Sequence, residues 1–160
     1  ISTLRMFQDM GLPRASVVAA AMELSKRLKV EESIDIRMIA AKDDVVALFK
    51  PLLADLPHEE FWALYLGASH RILDKIKISQ GSATATLVDN RLIVKRALDK
   101  FATAIIIVHN HPSGQPAPSN PDIELTNKLR DAAALFDIRL LDHIVVTSGE
   151  SYSFRANGLL

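Results

Sequence analysis

Two histidines one residue apart, His109 and His111, follow the apolar run Ala104–Val108, and an aspartate, Asp122, comes shortly afterwards. Two imidazoles and one carboxylate form a borderline donor set suited to zinc, and three protein ligands leave a fourth position for water. Such an open position marks a catalytic ion rather than a structural one. With two neutral ligands and one negative one, the ion keeps a charge near about +1, enough to bring the pKa of water toward roughly 7. The chemistry these residues predict is therefore hydrolysis by activated water.

Spacing decides whether the three can meet. Side chains at i and i+2 leave a strand on the same face, so His109 and His111 can reach one ion. Ser119 is a good helix N-cap, which puts Asp122 in the first turn of the helix that follows. Ser119-Asn-Pro-Asp122 can also be read as a capping box alone, with the histidines merely ending a strand. That simpler reading leaves unexplained why two histidines should point alike from a buried strand beside a constrained loop. The letters His-Asn-His do not support a nuclease of that name, whose residues are spread over a hairpin and a helix.

The elements that must hold these residues follow from periodicity. Residues 13 to 29 are Ala-rich with a basic C-terminal end and predict a helix, whereas 31 to 42 read as an extended linker. A boundary is expected near Glu31 to Ser33. Lys42-Asp43-Asp44 opens a second amphipathic helix that Pro57 should close. Glu60 to Leu66 and Arg71 to Ser79 predict a hairpin turning near Gly67 to His70. Gly81 to Thr86 reads as a loop, and Asp89 to Lys100 as a helix. Ala104 to Val108 is a strand buried on both faces. A helix from Asn120 to Phe136 and strands at Ile138 to Thr147 and Tyr152 to Phe154 complete the map. Interleaved strands and helices predict an α/β fold, a three-layer α/β/α arrangement with a mixed sheet, preceded by an N-terminal helix.

Composition narrows the function classes. At 160 residues and 49% hydrophobic content the chain can bury a real core. Its 19 basic and 19 acidic side chains cancel, so there is no long-range positive field to attract nucleic acid or anionic lipid. Cysteine is absent, which removes disulfides, thiol nucleophiles, thiolate zinc sites and the cysteine-containing zinc set of the deaminases. The longest apolar run is far below the roughly 20 residues that span a bilayer. A soluble, cytoplasmic protein with no membrane partner is expected. An opening at Ile1 rather than methionine is expected of a fragment whose missing N-terminus holds another module.

The order His109-x-His111, seven residues, Ser119, two residues, Asp122 resembles the JAMM (MPN+) metallopeptidase motif. His109-Asn-His-Pro-Ser-Gly114, Glu59-Glu-Phe-Trp62, Lys95-Arg-Ala-Leu98 and Leu141-Asp-His-Ile144 are similar to the bacterial RadC branch, over about Leu56 to Leu160. The resemblance implies a JAMM/MPN-like domain over 33–160 and, over 1–32, the remnant of a helix-hairpin-helix-like module. It implies a zinc-dependent hydrolase of peptide or isopeptide bonds in which His109, His111 and Asp122 bind Zn2+. In the same pattern Ser119 steadies the oxyanion, and Glu59 takes a proton from water and passes it to the leaving amine. Glu60 competes for that last role, because a one-residue shift of register flips a strand side chain to the other face. The chain departs from the family at Leu66-Gly67 and at Asp89-Asn90-Arg91, away from the zinc ligands. Asp142-His143 matches the family without an evident physical role. The expected partner is a protein or peptide substrate, and exposed sheet edges allow a homodimer. The alternative is a DNA-repair-associated or DNA-binding module with a structural zinc, for which Lys95, Arg96 and Lys100 offer only a thin basic surface.

Overall fold

The computed structural model describes residues 12–33, 38–80 and 88–160. The loop expected at Gly81 to Thr86, and part of the linker expected at 31 to 42, lie outside the described residues. The chain divides into two compact units, Ile1–Asp35 and Ile36–Leu160. In the first, α1 (Leu12–Ser33) runs beyond the 13 to 29 read from composition, so Glu31 to Ser33 are helical.

In the second unit, five strands form one mixed sheet in the order β2-β1-β3-β4-β5. β1 (Glu60–Leu66) and β2 (Ile72–Gln80) form the expected antiparallel hairpin, joined through a short 3-10 turn at Ala68–His70. β3 (Ala104–Asn110) is antiparallel to β1 and parallel to β4 (Arg139–Val146), while β5 (Ser151–Ser153) returns antiparallel to β4. A parallel pair needs a long crossover. Here α4 (Asn120–Ala134) supplies it.

Alternation along β1 and β3 divides the core. Phe61, Ala63, Tyr65, Ile105 and Ile107 pack with Ile93 and Ala97 of α3 (Asn90–Asp99) and with Leu129 and Ala133 of α4. Leu64, Leu66, Ala104, Ile106 and Val108 face the other way, onto Val45, Leu48, Phe49 and Leu53 of α2 (Lys42–Leu53). The result is the three-layer α/β/α arrangement expected, with every residue of β3 buried. Each fully buried Leu, Ile or Phe contributes about 1.5–3 kcal/mol, so this two-sided burial anchors β3 firmly in the core.

Two boundaries differ from the sequence reading. α2 stops at Leu53, short of Pro57, with Pro51, which has no N–H to donate, already inside its last turn. β3 continues past the apolar run through His109 and Asn110, which keep their register opposite Val145 and Val146 of β4. Among the described residues no helix is long and apolar enough to cross a membrane.

Candidate metal centre

The site lies where β3 ends, beside the start of β1 and the first turn of α4. His109 is the penultimate residue of β3 and is 3% exposed. His111 follows the strand, still tied to the sheet by its N–H donating to the Val146 carbonyl at 3.1 Å. The loop then bends through Gly114, whose φ of +80° is a left-handed conformation that favours glycine, and Gly114 N–H donates to His111 O. This bend brings the Gln115 carbonyl 2.8 Å from His111 Nδ1. A carbonyl only accepts, so Nδ1 carries the proton and Nε2 of His111 presents a lone pair.

Asp122 comes from the opposite side. Ser119 caps α4: its Oγ accepts from Asp122 N–H, while Asp122 Oδ2 accepts from Ser119 N–H at 2.7 Å and from Ser119 Oγ at 2.6 Å. The capping box and the candidate ligand are thus the same residues. The partial positive charge of the helix N-terminus also favours the carboxylate there.

His109 Nε2 lies 2.9 Å from His111 Nε2 and 3.4 Å from Asp122 Oδ1, and His111 Nε2 lies 3.5 Å from Asp122 Oδ2. Ligand atoms of a tetrahedral ion with bonds of about 2.0–2.1 Å are about 3.3 Å apart, so these separations fit one zinc-sized cation. The chemistry of the donors fits as well, since lone pairs and a carboxylate converging on one point repel unless a cation lies among them. This trio is the metal-competent cluster among the described residues.

The three groups act on one another's protonation. Burial pushes the His109 imidazole down to about 4 against the opposing pull of Asp122, keeping it neutral. The hydrogen bond with Asp122 raises His111 more than burial lowers it, helped by the Gln115 carbonyl and by the charges of Asp122 and Glu59. For Asp122, burial acts upward but is outweighed by His111, His109 and Ser119, which hold the carboxyl well below its usual range.

The two glutamates where β1 begins part company. Glu60 points to the α2 face, where its carboxylate accepts from Trp62 Nε1 at 2.9 Å and Lys77 Nζ at 3.1 Å, with His58 Nε2 at 3.3 Å. Burial raises its carboxyl, yet these hydrogen bonds leave it below the ordinary value. Phe61, on the opposite face, stacks on His109 with ring centroids 5.7 Å apart. Glu59, two residues before Phe61, is close enough for its charge to act on His111.

Four neighbours complete the site. Asn110, 1% exposed, accepts from Glu60 N–H at 2.8 Å and donates to His58 O at 2.9 Å, gripping the chain on both sides of Glu59. His143 is fully buried, with Nε2 2.8 Å from His109 Nδ1 and Nδ1 2.6 Å from Thr126 Oγ1. Asp142 holds this corner by accepting from His143 N–H, Arg155 N–H and Ser153 Oγ. His143 and Asp142 stood in a recognised word of the sequence; Thr126 and the grip of Asn110 had no local pattern to reveal them.

The profile of the RadC-like JAB domain matches residues 39–159, most of the chain. The chain belongs to this family. A UPF0758 protein of Flavobacterium johnsoniae is 36% identical over 159 residues, 99% of this chain and 69% of the relative. One of Porphyromonas gingivalis is 41% identical over 155 residues, 96% of this chain and 68% of the relative. One of the archaeon Methanosarcina acetivorans is 36% identical over 160 residues, 100% of this chain and 70% of the relative. The RadC-like stretch contains the whole His109, His111 and Asp122 cluster and its supports.

Proposed function

We propose that this RadC-like domain is a zinc-dependent hydrolase of peptide or isopeptide bonds. The observation that carries the reading is the convergence of two imidazole lone pairs and a carboxylate on one point, with Glu59 close by. His109, His111 and Asp122 would hold the ion. A bound zinc supplies Lewis acidity, polarising a carbonyl and making water acidic near neutral pH.

The chain's own residues supply the rest. Glu59 takes a proton from the attacking water as the new C–O bond forms, then delivers it to the amide nitrogen as the C–N bond breaks. An amine departs only when protonated, so a carboxylate that can do both is required. Asn110 fixes the peptide groups flanking Glu59 and so limits where its carboxylate can go. Ser119 Oγ, turned toward Asp122 here, sits at the rim where a developing oxyanion needs a donor.

The test is zinc content together with turnover of a peptide and isopeptide library by the native chain, Glu59→Ala and His109→Ala. Zinc-dependent cleavage by the native chain alone is expected. Cleavage that survives both substitutions overturns the mechanism, and zinc without any cleavage overturns the assignment as a hydrolase.

A further inference from the structure

The buried pair His143 and Thr126 lies behind His109, away from the open side of the cluster. Thr126 Oγ1 is 2.6 Å from the Asp122 carbonyl oxygen, one helical turn back. That oxygen can only accept, so the single hydroxyl proton of Thr126 is committed to it. Thr126 can then meet His143 Nδ1 only as an acceptor, which places a proton on His143 Nδ1. The His143 ring is buried between Phe61 and Phe154, its centroid 5.6 and 4.4 Å from theirs, and among the described residues its nitrogens meet His109 and Thr126 and no carboxylate. An unpaired buried cation is costly, so the ring is neutral and carries one proton only. Its Nε2 must accept.

His109 Nδ1, 2.8 Å from that nitrogen, therefore donates. The single proton of His109 is thus held on Nδ1, and Nε2 is left as a lone pair facing His111 and Asp122. We propose that Thr126 and His143 are positioning residues for the metal centre: their directed hydrogen bonds fix His109 in its Nδ1–H tautomer and so present Nε2 as a ligand. Resting on the zinc reading above, this assigns a role to His143, which offers no direct one because its ring is sealed from the open side. It also explains why Asp142 is spent on backbone and Ser153 contacts, since these hold the β4–β5 corner that orients His143.

Outer hydrogen bonds of this kind are worth about 10–100-fold in metal affinity. Nitrogen-15 NMR of the full chain, metal-free at mildly alkaline pH and loaded with zinc, reads the ring protons directly. The expected result is a proton on Nδ1 of both His109 and His143, with nitrogen–nitrogen coupling across the bond between them. Zinc affinity measured by chelator competition should fall about 10-fold or more in Thr126→Val, whose side chain has the same shape without the acceptor. Thr126→Ser should bind like the native chain. A proton on Nε2 of His143, or a Thr126→Val variant that folds and binds zinc like the native chain, overturns the relay. Neither readout uses a substrate, so a native chain that binds zinc but cleaves nothing overturns the hydrolase reading while the relay is still decided.

Discussion

Glu59 and Glu60 are adjacent and chemically identical, yet a strand sends consecutive side chains to opposite faces. Glu60 is taken up by Trp62, Lys77 and His58 on the α2 side. Glu59→Gln should keep zinc and lose about 10²–10⁴-fold in turnover, the usual contribution of a positioned acid–base group. Glu60→Gln should instead leave turnover near the native level and lower unfolding free energy by about 1–3 kcal/mol, because a buried hydrogen-bonded group loses its match. Steady-state rates and urea unfolding of the two variants check this directly. Asn110→Ala leaves the His58 carbonyl and the Glu60 N–H unpaired, so it should lower kcat while zinc content is retained. The candidate cluster was legible in the sequence because its spacing is local, an i,i+2 step where a strand ends and the first turn of a helix. The parts played by Asn110 and His143 were not, because their partners lie 52 and 34 residues away. A single sequence carries no sign of such pairings.

At the scale of elements, α3 and α4 end alike, without the glycine that usually marks a helix C-terminus. Phe101, at φ 52°, follows α3, and Asp137, at φ 57°, follows α4; the next N–H in each case donates back to Ala97 or Ala133. This is a Schellman-type closure carried by residues with a Cβ in the left-handed region. Phe101 is 89% exposed, so it gives little packing in return for that strain. Phe101→Gly should raise stability by about 1 kcal/mol, read as a shift in thermal midpoint with turnover unchanged. The missing glycine also explains why the ends expected at Lys100 and Phe136 ran one or two residues past those observed. The core strands were easier, since β1 and β3 each match the burial their residues need. Pro51 shows the opposite case, a breaker tolerated because the helix stops two residues later.

Across the whole molecule, the second unit buries one sheet between two apolar layers, and the candidate centre sits at its rim rather than within either layer. Tyr65 lies in the layer under α3, fully buried, and among the described residues its hydroxyl finds no hydrogen-bond partner. Burial chiefly, with Asp74 adding to it and Arg96 opposing, raises its phenol well above the ordinary value. A folded-state pKa above the unfolded one, about 10, means stability is intact below that pH and is lost as pH rises toward the folded value. Urea midpoints of the native chain should therefore fall above about pH 10. Tyr65→Phe, which removes both the orphan hydroxyl and the ionisation, should be as stable or up to about 1 kcal/mol more stable near neutrality and keep more of its stability in alkali. The layering itself was legible from interleaved strand and helix patterns, and the apolar clusters on the two faces of the sheet bear it out.

The central claim is that His109, His111 and Asp122 together hold zinc. Metal content by mass spectrometry, on native chain and on His109→Ala purified alike and dialysed against a weak chelator, tests it most directly. A single zinc ion should be retained by the native chain and lost from the variant. A native chain that retains none, or a folded variant that retains as much, contradicts it.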